Sequence, residues 1–284
     1  MTGALAVTGP DANTAADRRT AWWLAALGAV LTVGLNIAYP LAGNTGRDRL
    51  SVLTVLVFAA ASVGGAWAHG GARTAAAVLL GGGGIGLVAE VVGVSTGVPF
   101  GEYTYADSLG PKLAGVPLVV PLAWVMMAWP AWVVGTALAA RAPVRRRRAI
   151  SWLTGAWALA SWDVFLDPQM VDAGHWSWRT GSGIATAVPG IPGIPVSNYL
   201  GWLAVSLVLT GLFALIRLPG STAGAVPGPA AALYLWTWAG GILANAAFFG
   251  RPAVAVVAGL LMGVVAVPFA VCWRRTPRTR GVPR

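Results

Sequence analysis

The sequence predicts an all-α fold: a polytopic transmembrane helical bundle of about eight spans, with its N-terminus in the cytoplasm. Three observations carry that prediction. The chain has 284 residues, of which 57% are hydrophobic and only 10% charged, where soluble domains carry about 25% charged residues. Its apolar residues gather in runs of the length a helix needs to cross the hydrocarbon, roughly 20 residues. Its arginines fall in blocks at alternate ends of those runs, which is the positive-inside pattern.

The runs lie at about 21–41, 50–68, 74–96, 116–140, 150–166, 199–217, 230–249 and 252–273. The fifth is short and only Gly250–Pro252 separates the last two, so a count of seven is also open. Residues 1–20 read as a polar tail, 21–273 as one transmembrane domain and 274–284 as a basic tail. The first run is long enough to span and no small-residue cleavage site marks it as a removable signal. An inside N-terminus keeps Arg18, Arg19, Arg73, Arg141, Arg145–Arg148, Arg217 and the arginines from Arg274 onward in the cytoplasm. Arg47, Arg49, Lys112, Arg179 and Arg251 stay outside. The net charge of +10 therefore reads as topology signal and contact with anionic membrane lipids. Nucleic acid is excluded, because the basic blocks flank apolar runs and do not interleave with stacking aromatics. A single lysine among 19 basic residues suits a GC-rich bacterial genome, and a multi-pass protein of the bacterial plasma membrane is expected.

Two stretches break the apolar character. Gly97–Trp124 (GVPFGEYTYADSLGPKLAGVPLVVPLAW) and Ser161–Trp178 (SWDVFLDPQMVDAGHWSW) concentrate acids, aromatics and turn residues. The topology puts the polar loops 97–115 and 167–198 on the outer face, where the two stretches are expected to meet and form the site. Residues 181–198 are rich in Gly and Pro yet apolar, which suggests a lid or re-entrant segment. Gly81–Gly86 matches G-x-G-x-x-G formally, but the motif needs a preceding strand. Within a spanning helix, small residues instead let helices approach closely.

Three carboxyls are candidates for chemistry. Glu90 sits inside the third run, where a carboxylate costs a few kcal/mol on insertion scales and faces a partner or a polar cavity. It reads as a proton donor or cavity lining on one hand, or as a structural link between helices on the other. Asp163 and Asp167 are four apart, so they share a helical face. Pro168 is expected to end the helix beside them. Close carboxyls share a proton, which makes a usable general acid; helix-end capping is the competing reading. His69 and His175 have no second histidine at ligand spacing, so no histidine-based metal site is expected; a carboxylate-bound metal stays open. Cys272 reads as an inert buried thiol. Most of the 15 tryptophans are expected in the interfacial belt, while Trp124, Trp162, Trp176, Trp178 and Trp202 lie beside the acidic loops. There their faces would line a groove and stabilise a cation.

Together the two stretches, followed by GIPVSNYLGW, resemble the integral-membrane carotenoid hydratase family, over roughly Gly93 to Trp202. The matched positions include Gly101, Tyr103, Tyr105, Gly110, Pro117, Trp124, Asp163, Asp167, Pro168, Trp176, Trp178, Asn198, Gly201 and Trp202. Thr180–Pro192 is longer than the compact connection of that pattern. The resemblance implies addition of water across the terminal isoprenoid double bond of an acyclic carotenoid, with no cofactor. On residue chemistry, Asp163, Asp167 and Glu90 are the candidate acids, with the Asp pair preferred. Tyr103, Tyr105, Trp124, Trp162, Trp176, Trp178, Asn198 and Trp202 are the candidate substrate contacts, Asn198 orienting the water. Expected partners are the carotenoid, membrane lipids and other enzymes of carotenoid biosynthesis. The competing classes are a non-catalytic carotenoid- or isoprenoid-binding membrane protein, an end-group cyclase and a proton-coupled small transporter.

Overall fold

A computed structural model describes residues 12–179, 191 and 193–276. Among them are eight long α-helices: α1 (Ala12–Ala38), α2 (Asn44–Ala76), α3 (Gly83–Thr96), α4 (Val119–Ala139), α5 (Val144–Asp172), α6 (Val196–Leu215), α7 (Gly228–Ala247) and α8 (Pro252–Arg274). Most of the expected lid, residues 181–190 and 192, lies outside the described residues.

The centre of the bundle is α4. It is apolar all round, and a helix of that kind has to be buried; Trp124, Val125, Met127, Ala128, Trp129, Ala131, Val133 and Val134 are fully so. The other helices pack round it in the order α1, α2, α3, α6, α5, α8, α7 and back to α1. The outward positions of the ring are apolar too, among them Leu24, Leu27 and Val30 of α1 and Val256, Leu260 and Val264 of α8. An apolar exterior of that extent marks a surface for lipid. Five stretches are long and apolar enough to cross a membrane: Ala15–Leu41, Thr45–Thr96, Val119–Ala139, Val196–Leu215 and Pro252–Arg274.

Three features depart from the sequence expectation. The expected spans 50–68 and 74–96 form one 52-residue helical stretch, joined through a π-helical turn, Ala77–Gly82. It bends at Gly71, whose φ of 75° and ψ of −172° suit only glycine. His69 consequently sits on the helix before the bend, its Nε2 2.8 Å from the Gly220 carbonyl, and not in a loop. Pro168 does not end α5, which runs on to Asp172. Proline removes a single backbone donor, and the packed turns on both sides hold the helix through it. The fold is also not purely helical. Strand β1 (Tyr103–Tyr105) pairs antiparallel with β4 (Trp176–Trp178), and β2 (Lys112–Leu113) with β3 (Val116–Pro117).

The Gly81–Gly86 cluster packs helices, as its setting suggested. A Cβ on Gly82 would lie 3.2 Å from the Val125 Cα, and one on Gly86 2.5 Å from Trp124 Cγ. Bare backbone here brings the π turn and α3 onto α4, which sets Glu90 against the tryptophan.

Candidate active site

The loop after α3 and the chain after α5 meet as the two polar stretches were expected to do. Gly97, with φ of 75°, turns the chain out of α3. The register Tyr103↔Trp178, Thr104↔Ser177, Tyr105↔Trp176 follows from strand alternation. Thr104 and Ser177 point to solvent, while Tyr103, Tyr105, Trp176 and Trp178 turn inward. Exposed ion pairs, Lys112–Asp107 at 2.7 Å and Arg179–Glu102 at 3.2 Å, lie on the outside of this strap.

Inside it Glu90 is 3% exposed and surrounded by donors. Its Oε2 accepts from Tyr103 Oη at 2.6 Å and Tyr105 Oη at 2.8 Å, and its Oε1 from Trp124 Nε1 at 3.1 Å. Burial, reinforced by the neighbouring Glu90, pushes both phenols well above the usual tyrosine range, so they stay protonated. An indole N–H can only donate. Three donors on two oxygens suit an ionised carboxylate and leave little room for an acid proton.

The aspartate pair is built differently. Asp163 is fully buried and Asp167 nearly so. Their carboxyls are held close enough for one amide to reach both, and two buried carboxyls so placed share a proton. Asn198 Nδ2 donates to Asp163 Oδ2 at 2.9 Å and also to Asp167 Oδ2. Trp176 Nε1 donates to Asp167 Oδ1 at 3.1 Å, and Asp163 Oδ1 has no partner among the described residues. Asn198 thus ties the two carboxyls together, where the sequence suggested that it orients water.

A cavity of about 220 Å³ opens between these groups, below the roughly 300–1,000 Å³ of a pocket that encloses a drug-sized ligand. Every candidate site residue lines it except Asp163, which is fully buried outside the lining. Aromatic faces make one wall. Trp124 and Trp202 stack at 3.9 Å and 10° between planes, and Trp162 meets Trp202 edge-on at 5.8 Å. Tyr103–Trp178 and Tyr105–Trp176 contacts at 5.8 and 5.6 Å continue the wall into the ribbon. Phe100 adds to it, a residue the motif reading passed over. Sequence reasoning also missed Asn36, Ser51, Thr237 and Asn245 across the cavity; the one available signal was a lone amide inside an apolar run.

His175 stands just outside the cavity. It is fully buried, with Nδ1 2.7 Å from Ser108 Oγ and Nε2 3.7 Å from Asp48. Burial lowers its pKa from the ordinary 6.5, and Asp48 opposes that shift.

Comparison with known proteins gives the context. A bisanhydrobacterioruberin hydratase from Haloarcula japonica is 36% identical over 126 residues, which cover 44% of this chain and 39% of that protein. The chain therefore aligns with less than half the length of this curated relative. No solved structure matches the chain. The family described as carotenoid biosynthesis protein matches residues 49–266, from α2 into α8 and across every candidate site residue. With that span matched, the chain belongs to the carotenoid biosynthesis protein family.

Proposed function

We propose that this protein hydrates the terminal isoprenoid double bond of an acyclic carotenoid end group. The observation that carries the reading is the buried Asp163–Asp167 pair, bridged by Asn198 at the edge of an aromatic-walled cavity. Protonating an unactivated alkene takes a desolvated acid, and the tertiary cation it creates needs electron-rich surroundings. Asp167, which faces the cavity, gives its proton to the less substituted carbon. The alkene π pair becomes the new C–H bond. The cation that remains lies among the Trp124, Trp202 and Tyr105 faces, within the field of the Glu90 carboxylate. A water lone pair then forms the C–O bond, and the proton that water sheds passes to bulk water, from which the aspartate pair is reprotonated after product release. Alkene and water give a tertiary alcohol with no change in electron count, so the reaction calls for no redox partner.

The cavity's size suits a chain end, the rest of a long polyene lying towards the lipid. The same reading takes all eight helices as spans, the expected 50–68 and 74–96 being two arms of one bent stretch. The N-terminus then lies in the cytoplasm, in a bacterial plasma membrane. The arginine run Arg145–Arg148 begins α5 at the end of the bundle opposite the cavity, so the site faces outward. Contact with other enzymes of carotenoid biosynthesis would deliver a substrate that water does not dissolve.

The test is expression in bacterial hosts making lycopene or γ-carotene, with chromatography and mass spectrometry of the pigments. Hydration gives a product heavier by one water with an unchanged chromophore. An isomer of unchanged mass would mean cyclisation. Unchanged pigment, with the protein present in the membrane, would favour a binding role.

A further inference from the structure

The cavity has a second polar wall that the acid chemistry leaves unused. Besides Glu90, Asp167, Asn198 and the Gln169 amide of α5, the cavity is lined by Asn36 of α1, Ser51 and Thr54 of α2 and Thr237 and Asn245 of α7. The two walls belong to different flanks of α4: α6 joins α3 to α5 on one, and α1 joins α2 to α7 on the other.

Two groups in this wall lack partners. Asn245 is 1% exposed. Its Nδ2 donates to the Gly241 carbonyl at 2.9 Å, one turn back on α7, but its Oδ1 has no partner among the described residues. Ser51 Oγ is buried without one as well. Thr237 shows the contrast, its hydroxyl satisfied by the Leu233 carbonyl at 2.8 Å. An unmet amide oxygen inside an apolar bundle costs free energy unless a donor reaches it. Asn245 Oδ1 can only accept, and a serine hydroxyl can both donate and accept. Neither lipid tails nor a hydrocarbon polyene offers a donor. Water does, and a polar, roomy site with several partners is where buried water is held.

We propose that Asn245 and Ser51 hold the water that captures the cation, on the wall facing the Asp163–Asp167 pair across the alkene. This rests on the hydration reading and adds to it the source of the nucleophile. Proton and water then reach the double bond from different sides. Water waiting beside Asp167 would compete for its proton; water held on the far wall leaves the acid dry until the C–H bond has formed. The water oxygen supplies the electron pair of the C–O bond; its lost proton passes to bulk water, from which the aspartate pair is reprotonated after product release.

The test uses membranes carrying wild type, Asn245→Leu or Ser51→Ala, with lycopene in deuterated buffer. Lycopene and γ-carotene, a second probe, are hydrocarbons, so a hydroxyl on the substrate cannot stand in for water. Hydrated product and deuterium in the recovered alkene are both measured by mass spectrometry. Loss of one positioning hydrogen bond predicts about a tenfold fall in alcohol for Asn245→Leu. Deuterium in the recovered alkene persists, because a cation that is formed but not captured gives a proton back. Ser51→Ala, the smaller change, reads the same partition should Asn245→Leu fail to accumulate in the membrane. Full hydration by both variants would overturn the proposal. So would alcohol and label falling in step in both, which marks damage to the acid wall. Wild type giving neither alcohol nor label with either probe sinks the hydration reading itself.

Discussion

Replacing Asp167 by Asn preserves shape and removes the acid proton, and the structure sets the size of both consequences. In wild type Oδ1 accepts from Trp176 and Oδ2 from Asn198. The new amide can keep its carbonyl on only one of them. It either sets two NH₂ groups against each other or turns and gives up the tryptophan bond. The stability cost is that of one hydrogen bond, about 0.5–1.5 kcal/mol. The catalytic cost is that of a general acid, about 10²–10⁴-fold, or roughly 3–5.5 kcal/mol in the barrier. Chemistry therefore dominates: the variant should reach the membrane near wild-type level and lose at least about a hundredfold in turnover. Asp163→Asn makes the control. Asp163 is buried outside the cavity lining, so its loss leaves a donor in place without its proton-sharing partner. Activity should fall less and its pH profile should move. The assay is alcohol formed per unit of membrane protein across a pH series. Asp167→Asn retaining full turnover, or Asp163→Asn losing more than Asp167→Asn, refutes Asp167 as the donor.

Three further outcomes follow from the geometry. Glu90→Gln keeps an acceptor for Trp124, and the two phenols can rotate to suit it, but the charge is gone; turnover should fall on the order of 10²-fold at normal expression, and wild-type turnover would remove Glu90 from the chemistry. Gly86→Ala puts a Cβ 2.5 Å from Trp124 Cγ, an overpacking that should cost about 1–3 kcal/mol, read as a lower unfolding temperature in detergent. His175 has a folded-state pKa lowered from 6.5, so below that value the unfolded chain binds the proton more readily. Its contribution to stability is complete above about pH 6.5 and lost as pH falls through the folded value. Thermal stability should therefore drop on acidification, and His175→Gln should drop less; equal slopes would show that other groups control the effect.

How much of this was legible depended on whether local pattern or three-dimensional setting decided the outcome. The concentration of acids and aromatics in 97–124 and 161–178 pointed to the site, because polar groups in an apolar chain cost too much to be incidental. The spacing of Asp163 and Asp167 carried their shared face. Glycines 81–86 announced close packing but could not name Trp124 as the neighbour. Pro168 misled, since its local bias towards ending a helix was overridden by packing around α5. The bend at Gly71 and the π turn after it were invisible, as one glycine among 38 carries no sign of a positive φ. Asn198 was found but its contact with both aspartates was not, because which side chain an amide reaches is set by the crossing of α5 and α6. Asn245 and Ser51 were missed because isolated polar residues in separate spans become a wall only once α2 and α7 are brought together.

The β1–β4 ribbon accounts for the one arrangement that helices alone do not supply. Glu90 is on α3 and the aspartates on α5, with α6 between them in the ring. Helix packing fixes the depth of each carboxyl but leaves their mutual placement loose. The ribbon closes that gap. On one strand Tyr103 and Tyr105 reach Glu90, and on the other Trp176 reaches Asp167. Because Tyr105 and Trp176 are directly paired, the span between the two carboxyl sites is tied to an inter-strand distance of about 4.8 Å plus two rigid rings. A slip of one residue in that register would turn the slipped strand's inward pair to solvent, stripping donors from one carboxyl and aromatic cover from the cavity. On the proposed mechanism, acid strength at Asp167 and charge at Glu90 are opposite demands within one small space. Neutral donors crowded on one carboxyl and a shared proton on the other meet both demands, and the ribbon is the element that delivers a partner to each.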